Sequence, residues 1–128
     1  AEFVDRPLFL LRNLSRGRGV GFFEAGNFYP DFMLWRLDGG KQRITFIDPK
    51  GIRNLSWTNE PKLDFATTLR DIENRIGDAA VSLDSYIVSV TPAAEMRLHW
   101  GVTDAQLAQR HIVFDEDEDY VRRILAGP

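Results

Sequence analysis

The sequence predicts an α/β fold, a mixed central sheet carrying a β-hairpin with helices packed on its faces. Three observations lead there. Phe32 to Leu37 is a nearly continuous apolar run, Asp38-Gly39-Gly40 follows it, and Arg43 to Ile47 alternates, which spells two strands joined by a tight turn. From Pro61 to Ile76 the apolar period lengthens to that of a helix. Leu83 to Val90, rich in β-branched residues, is then a buried strand, so a helix crosses between two strands and makes them parallel neighbours.

The 128 residues fit one domain with a sizeable core. Zero cysteines exclude disulfides, thiolate metal sites and cysteine nucleophiles together, and point to an intracellular, cytoplasmic location. No apolar run approaches the ~20 residues of a membrane span, and nothing reads as a signal peptide. The chain begins at Ala1 without Met and reads as a piece of something larger. It has no Gly-x-x-x-x-Gly-Lys-Ser/Thr phosphate loop, so any ATP-driven motor is expected in other parts of the parent chain.

Each element has its own signal. Asp5-Arg6-Pro7 is a possible helix start, with Leu8, Leu11 and Leu14 on one side. A strand over Leu8 to Leu11 is preferred, because Ser15-Arg16-Gly17-Arg18-Gly19 is a turn and Val20 to Phe23 a second apolar run; the two make a hairpin preceding the longer one. Arg12, Arg16 and Arg18 cluster there, either as solvated surface or as contacts to backbone phosphates. Gly51 to Glu60 is a loop in which Trp57 either covers a hydrophobic rim, the commoner role, or stacks on a base. In the helix from Pro61 to Ile76 the stripe is Phe65, Leu69, Ile72 and Ile76, with Asn59 as candidate cap and Gly77 as terminator. Lys62 and Arg70 either reach the site or solvate this helix. Ser89 and Thr91 line a cleft or simply end a strand.

Ala93 to Trp100 is helical, and Thr103-Asp104-Ala105-Gln106 opens a short helix to Arg110 with a capping box. His111 to Phe114 is a last edge strand. The acidic run Asp115 to Asp119 leads into Tyr120, Val121, Ile124 and Leu125 at helical spacing, where carboxylates favour the helix dipole. A calcium loop would need a glycine and a ligand ladder that this run lacks. The two histidines are isolated and lack the spacing of a zinc site, which leaves them as surface or packing residues.

The chemistry gathers on the hairpin. Side chains two apart on a strand share a face, so Ile44, Phe46, Asp48 and Lys50 point one way, and Asp31 opens the neighbouring strand at the end where Asp48 closes its own. Two carboxylates about 4 Å apart repel by roughly 4 kcal/mol at an effective dielectric near 20, so the pair needs a cation or a shared proton. Hard oxygen ligands suit Mg²⁺ or Mn²⁺, which polarise a phosphoryl oxygen and activate a water, while Lys50 orients that water or offsets charge at phosphorus. Phosphodiester hydrolysis uses this set.

Pro30-Asp31 followed by Asp48-Pro49-Lys50 matches the PD-(D/E)XK pattern of restriction-endonuclease-like nucleases. The surrounding words, Gly-Val-Gly-Phe-Phe-Glu-Ala-Gly-Asn-Phe-Tyr-Pro-Asp-Phe (Gly19 to Phe32) and Phe-Ile-Asp-Pro-Lys-Gly (Phe46 to Gly51), resemble the C-terminal nuclease region of large bacterial helicase-nucleases akin to the restriction subunit of type III systems. The short pattern is common by chance; the longer wording, over roughly Leu8 to Gly51, is specific. Beyond residue 60 the resemblance is to element order alone.

The resemblance implies a restriction-endonuclease-like domain spanning 1–128, part of a larger helicase-nuclease in a restriction or other helicase-coupled system. It implies Mg²⁺-dependent hydrolysis of DNA phosphodiesters, with Mn²⁺ as substitute, leaving 5′-phosphate and 3′-hydroxyl ends. Asp31 and Asp48 would be metal ligands, the carbonyl of Pro49 a third, and Lys50 the catalytic lysine. Glu24 would be an additional acid; such a Glu usually comes from a helix, whereas Glu24 lies in a strand-like segment. Pro49 cannot donate to a ladder, which places it at an edge, a bulge or a strand end. Expected partners are DNA, the helicase/ATPase domain of the parent chain, and a modification or specificity subunit. Net charge is −3, split as ten Lys/Arg against eight Asp/Glu in residues 1–64 and six against eleven in 65–128, so weak DNA affinity is expected and flanking domains would hold the substrate. The competing reading is a catalytically inactive DNA-binding or interaction module of a helicase-like protein, in which Lys50 bridges Asp31 and Asp48.

Overall fold

The computed structural model describes residues 7–13, 20–22 and 28–127. In chain order they form β1 (Leu8–Arg12), β2 (Phe32–Asp38), β3 (Lys41–Lys50), α1 (Phe65–Ile76), β4 (Val81–Ser89), α2 (Ala93–Trp100), α3 (Asp104–Gln109), β5 (Ile112–Phe114) and α4 (Tyr120–Ala126). The strands make one open mixed sheet in the order β1-β2-β3-β4-β5, antiparallel from β1 to β3 and parallel from β3 to β5. Among the described residues, no helix is long and apolar enough to cross a membrane.

The β2–β3 hairpin forms as its turn chemistry dictates. Asp38 faces Lys41 across Gly39 and Gly40, whose φ of 56° and 83° suit the two-residue turn that matches strand twist. β3 runs on past Ile47 to Lys50 and pairs in parallel with β4 along its length, so Asp48 lies opposite Ile87. The hairpin expected between Leu8–Leu11 and Val20–Phe23 is not what forms. Among the described residues β1 pairs with β2 instead, Leu10 opposite Leu34, and Phe22 makes an isolated bridge to Phe28; Phe23 lies outside them. A five-residue ladder on the open edge of β2 satisfies more backbone groups than the short run after residue 19 offers, and that outweighs the nearby turn signal.

Both faces of the sheet carry helices. Phe46 and Leu83 pack under Phe65 and Leu69 of α1, and Ile87 and Ile112 under Met96 of α2 and Leu107 of α3, on one face. On the other, Leu34, Tyr86, Val88 and Val113 meet Ile124 of α4. Buried Arg36 also lies on that side, donating to the Leu125 carbonyl near the negative end of α4. Among the described residues no helix covers β1, and Leu8, Phe9, Leu10 and Leu11 are all exposed.

Several boundaries shift for packing reasons. α1 begins at Phe65 rather than Pro61, with Asp64 at its N-cap and no side-chain cap bond, so Asn59 is not the cap. Leu63 is fully buried in the cluster under α2 and α3, and 61–64 turns to put it there. Gly77 terminates the helix with φ 66°, as expected, but Ile76 of the anticipated stripe is half exposed. The capping box at Thr103 forms in both directions: the Gln106 amide donates to the Thr103 hydroxyl, and the Gln106 side chain accepts from the Thr103 amide. The acidic run before α4 divides its work. Glu116 accepts from the Ala93 amide at the start of α2, while Asp117 and Asp119 lie near Arg123.

Candidate functional site

Asp31, Asp48 and Lys50 meet at one end of the hairpin, on the face that carries α1. Asp31 precedes the first residue of β2 and is exposed. Asp48 is only 6% exposed. Its Oδ1 accepts from the Asp31 amide at 3.2 Å, and its Oδ2 forms an ion pair with Lys50 Nζ. Past the Phe32–Ile47 pair the ladder stops, and the Asp48 side chain accepts the Asp31 amide there. Lys50's carbonyl accepts from the Val90 amide on the β4 side, so Pro49 turns its nitrogen and carbonyl the opposite way, past the end of β2. That is the strand-end position expected for it.

Burial pushes the Asp48 carboxyl above its ordinary range, and the charge of Asp31 adds to this; the Lys50 contact and the Asp31 amide work against it. A carboxyl held at such a rim by its neighbours is a site of stored electrostatic cost. An open cleft of about 340 Å³ lies over it, lined by Phe28, Tyr29, Asp31, Pro49, Lys50 and Lys62 as well as Asp48. Two ammonium groups stand near one ring: Lys50 Nζ is 4.7 Å and Lys62 Nζ 5.8 Å from the Phe28 centroid. Phe28 is in turn held edge-on by Phe65 at 5.0 Å, so the floor of the site is part of the core under α1.

Two supports were not visible as such in the sequence. Asn13, just after β1, donates through Nδ2 to the carbonyls of Val20 (2.7 Å) and Pro30 (2.8 Å) and accepts the Val20 amide (2.9 Å), while its own amide bonds the Asp31 carbonyl. It ties three chain segments together beside Asp31. The available signal was an Asn ending a strand before a Gly-rich turn, where its side chain mimics backbone. Asn13→Ala is expected to lower stability by about 1–3 kcal/mol, read from the urea midpoint, because it leaves these backbone groups without their partner. The second support is Gly21: a Cβ there would lie 2.5 Å from the Tyr29 ring, so only glycine lets that ring pack at the cleft wall.

The remaining candidates separate clearly. Glu24, Arg16 and Arg18 lie outside the described residues. Arg12 pairs with Phe32 and so stands on the opposite face from Asp31. Trp57 covers the rim: it packs on Trp100 at 5.1 Å, and Arg110 lies 4.0 Å over its ring. Arg70 pairs with Glu73 on α1. Ser89 is fully buried, its hydroxyl closing a turn with Thr91, which is the ordinary strand-end role. Lys62 does reach the cleft.

His99 is an exposed surface residue bonded to the Arg53 carbonyl. His111 is more than that: with φ 56° it turns Nδ1 to Asp84 Oδ1 at 2.8 Å and the Ser85 carbonyl at 3.0 Å, and stacks on Tyr86 at 5.0 Å. The Asp84 hydrogen bond, helped by that carboxylate's charge and the Ser85 carbonyl, holds the imidazole above its ordinary 6.5 despite burial and Arg70. Because the folded value is raised, the stabilisation is complete below about 6.5 and disappears as pH climbs through the higher folded value. The urea midpoint should therefore fall from pH 6 toward 8, and His111→Asn, which tolerates the same φ, should flatten that slope.

Among the described residues no group of three His, Cys, Asp or Glu side chains is arranged to hold a metal ion. The donor set is smaller: two adjacent carboxylates, one of them exposed, with the Pro49 carbonyl turned to the same open edge. Such a set fits a hard divalent cation that keeps most of its waters and takes substrate phosphate oxygens, as Mg²⁺ does. Comparison with protein-family models, with curated proteins and with solved structures found no match.

Proposed function

We propose that the chain is a restriction-endonuclease-like, Mg²⁺-dependent DNA endonuclease domain of a helicase-coupled system. The observation that carries this reading is the meeting of Asp31, Asp48 and Lys50 in one open cleft at the end of a hairpin whose wording resembles that family. Asp31 and Asp48 would hold the cation, with the Pro49 carbonyl as a further oxygen. When bound, such an ion supplies Lewis acidity to a phosphoryl oxygen and lowers the pKa of a water. Lys50, a compact ammonium, orients the attacking water and offsets the negative charge that grows as the P–O3′ bond breaks. The Phe28 ring, 4.7 Å from that ammonium, gives it a cation–π platform.

The inactive-module reading has one feature in its favour, the direct Lys50–Asp48 ion pair. It is not the bridge that reading expects, since among the described residues Lys50 pairs with Asp48 alone and Asp31 is linked to Asp48 through its backbone amide. Two measurements separate the readings. With Mg²⁺, the protein should nick plasmid DNA and Lys50→Ala should cut at least about 10²-fold more slowly. With Mn²⁺ at 100 times its Kd, the folded state should gain about 2.7 kcal/mol. A protein that neither nicks DNA nor is stabilised by millimolar Mn²⁺ belongs to the other class.

A further inference from the structure

Among the described residues that line the cleft, Lys62 is the charged one to which the proposed chemistry gives no task. It stands in the turn just before α1, half buried, with Nζ over the same ring that carries Lys50. No carboxylate among the described residues pairs with it; its only acidic contact is a backbone amide bond to Glu60. Its position is not accidental to a mobile loop. Ile52 and Leu63, both fully buried, anchor the segment at its ends, Trp100 Nε1 bonds the Leu55 carbonyl at 3.0 Å, and Arg110 donates to the Trp57 carbonyl. The fold delivers a cation, paired with no described carboxylate, to the mouth of a cleft that already contains one.

Charge counting shows what it is for. Asp31, Asp48, Lys50 and a divalent cation carry one net positive charge between them, which matches the single negative charge of the phosphodiester being cut. Lys62 adds a charge that this group does not need. On this basis, and resting on the function proposed above, we propose that Lys62 binds the phosphate next to the scissile one, so that the site selects a polynucleotide backbone over an isolated phosphodiester. Lys62 is then a positioning residue: it makes and breaks no bond, and it sets the register of the strand against Asp31 and Asp48.

The experiment compares kcat/KM for a short DNA duplex with that for bis(4-nitrophenyl) phosphate, a diester with no neighbouring phosphate. Lys62→Ala should lower the duplex-to-diester ratio about tenfold, mainly through KM, and Lys62→Arg should hold it near the natural value. Duplex affinity in Ca²⁺, read by fluorescence anisotropy over a salt series, should show a logarithmic slope smaller by about 1 in Lys62→Ala. An unchanged ratio together with an unchanged slope overturns the assignment while leaving the nuclease intact. Natural protein that hydrolyses neither substrate overturns the nuclease reading itself, so the two failures are distinct.

Discussion

Asp48→Asn should cut DNA far more slowly than the natural protein, and in metal-free buffer it should unfold at a higher temperature. Both results follow from where the carboxyl sits. Burial raises its pKa above the ordinary 3.8 more than Lys50 and the Asp31 amide lower it. The native state therefore holds this proton more tightly than the unfolded chain, and ionisation subtracts stability as pH rises from about 3.8 through the folded value. Asparagine keeps the shape and the oxygen that accepts the Asp31 amide, and removes the charge. Lys50, whose side chain is 18% exposed, can turn toward water. Cleavage should fall by at least about 10³-fold, since one of only two carboxylate donors is gone. Added Mn²⁺ should then reverse the order of stability, raising the natural protein alone. A variant melting below the natural protein in metal-free buffer would show that Asp48 is an ordinary structural ion pair.

Phe65→Ala is expected to lose about 3–5 kcal/mol, a large part of the roughly 5–15 kcal/mol that holds such a domain together. Phe65 is nearly fully buried, and its ring stands edge-on to Phe22 at 4.6 Å, Phe28 at 5.0 Å and Phe46 at 6.2 Å. Denaturant titration gives the loss directly. The same substitution removes the prop behind Phe28, so activity measured at low temperature, where the variant is folded, should fall as Lys50 loses its platform. Phe65→Leu, closer in volume, should recover much of the stability, leaving under about 1.5 kcal/mol of loss. Full stability in the alanine variant would mean that the four rings are not the core they form here.

Local signals were read well where local physics decides. The Gly39-Gly40 turn, the helix stop at Gly77, the Thr103 capping box and the parallel β3–β4 pair all rest on neighbours in sequence or on a single crossover, and each formed. Asp31, Asp48 and Lys50 came together for the same reason: strand alternation and one tight turn suffice to place them. What sequence did not show was set at long range. β1 chose β2 over the nearby Val20 run because an open edge was available. Asn13 and Lys62 carry no distinctive motif; their importance comes from what the fold brings beside them. Asp84, on β4, and His111, just before β5, meet only when β4 and β5 pair.

Pro49 has one more consequence. Carried two positions past Phe32 and Ile47, the strand register would set Pro30 against Pro49, so neither chain could supply an amide hydrogen to lengthen the zipper. Amide-exchange protection that depends on the β2–β3 pairing should accordingly end abruptly at Phe32 and Ile47 instead of fraying gradually, while Asp48 and Lys50 stay paired with β4. Thermal breathing can loosen this end of the sheet, but it cannot zip it shut, and the entrance above Asp48 is kept ajar by covalent structure rather than by chance.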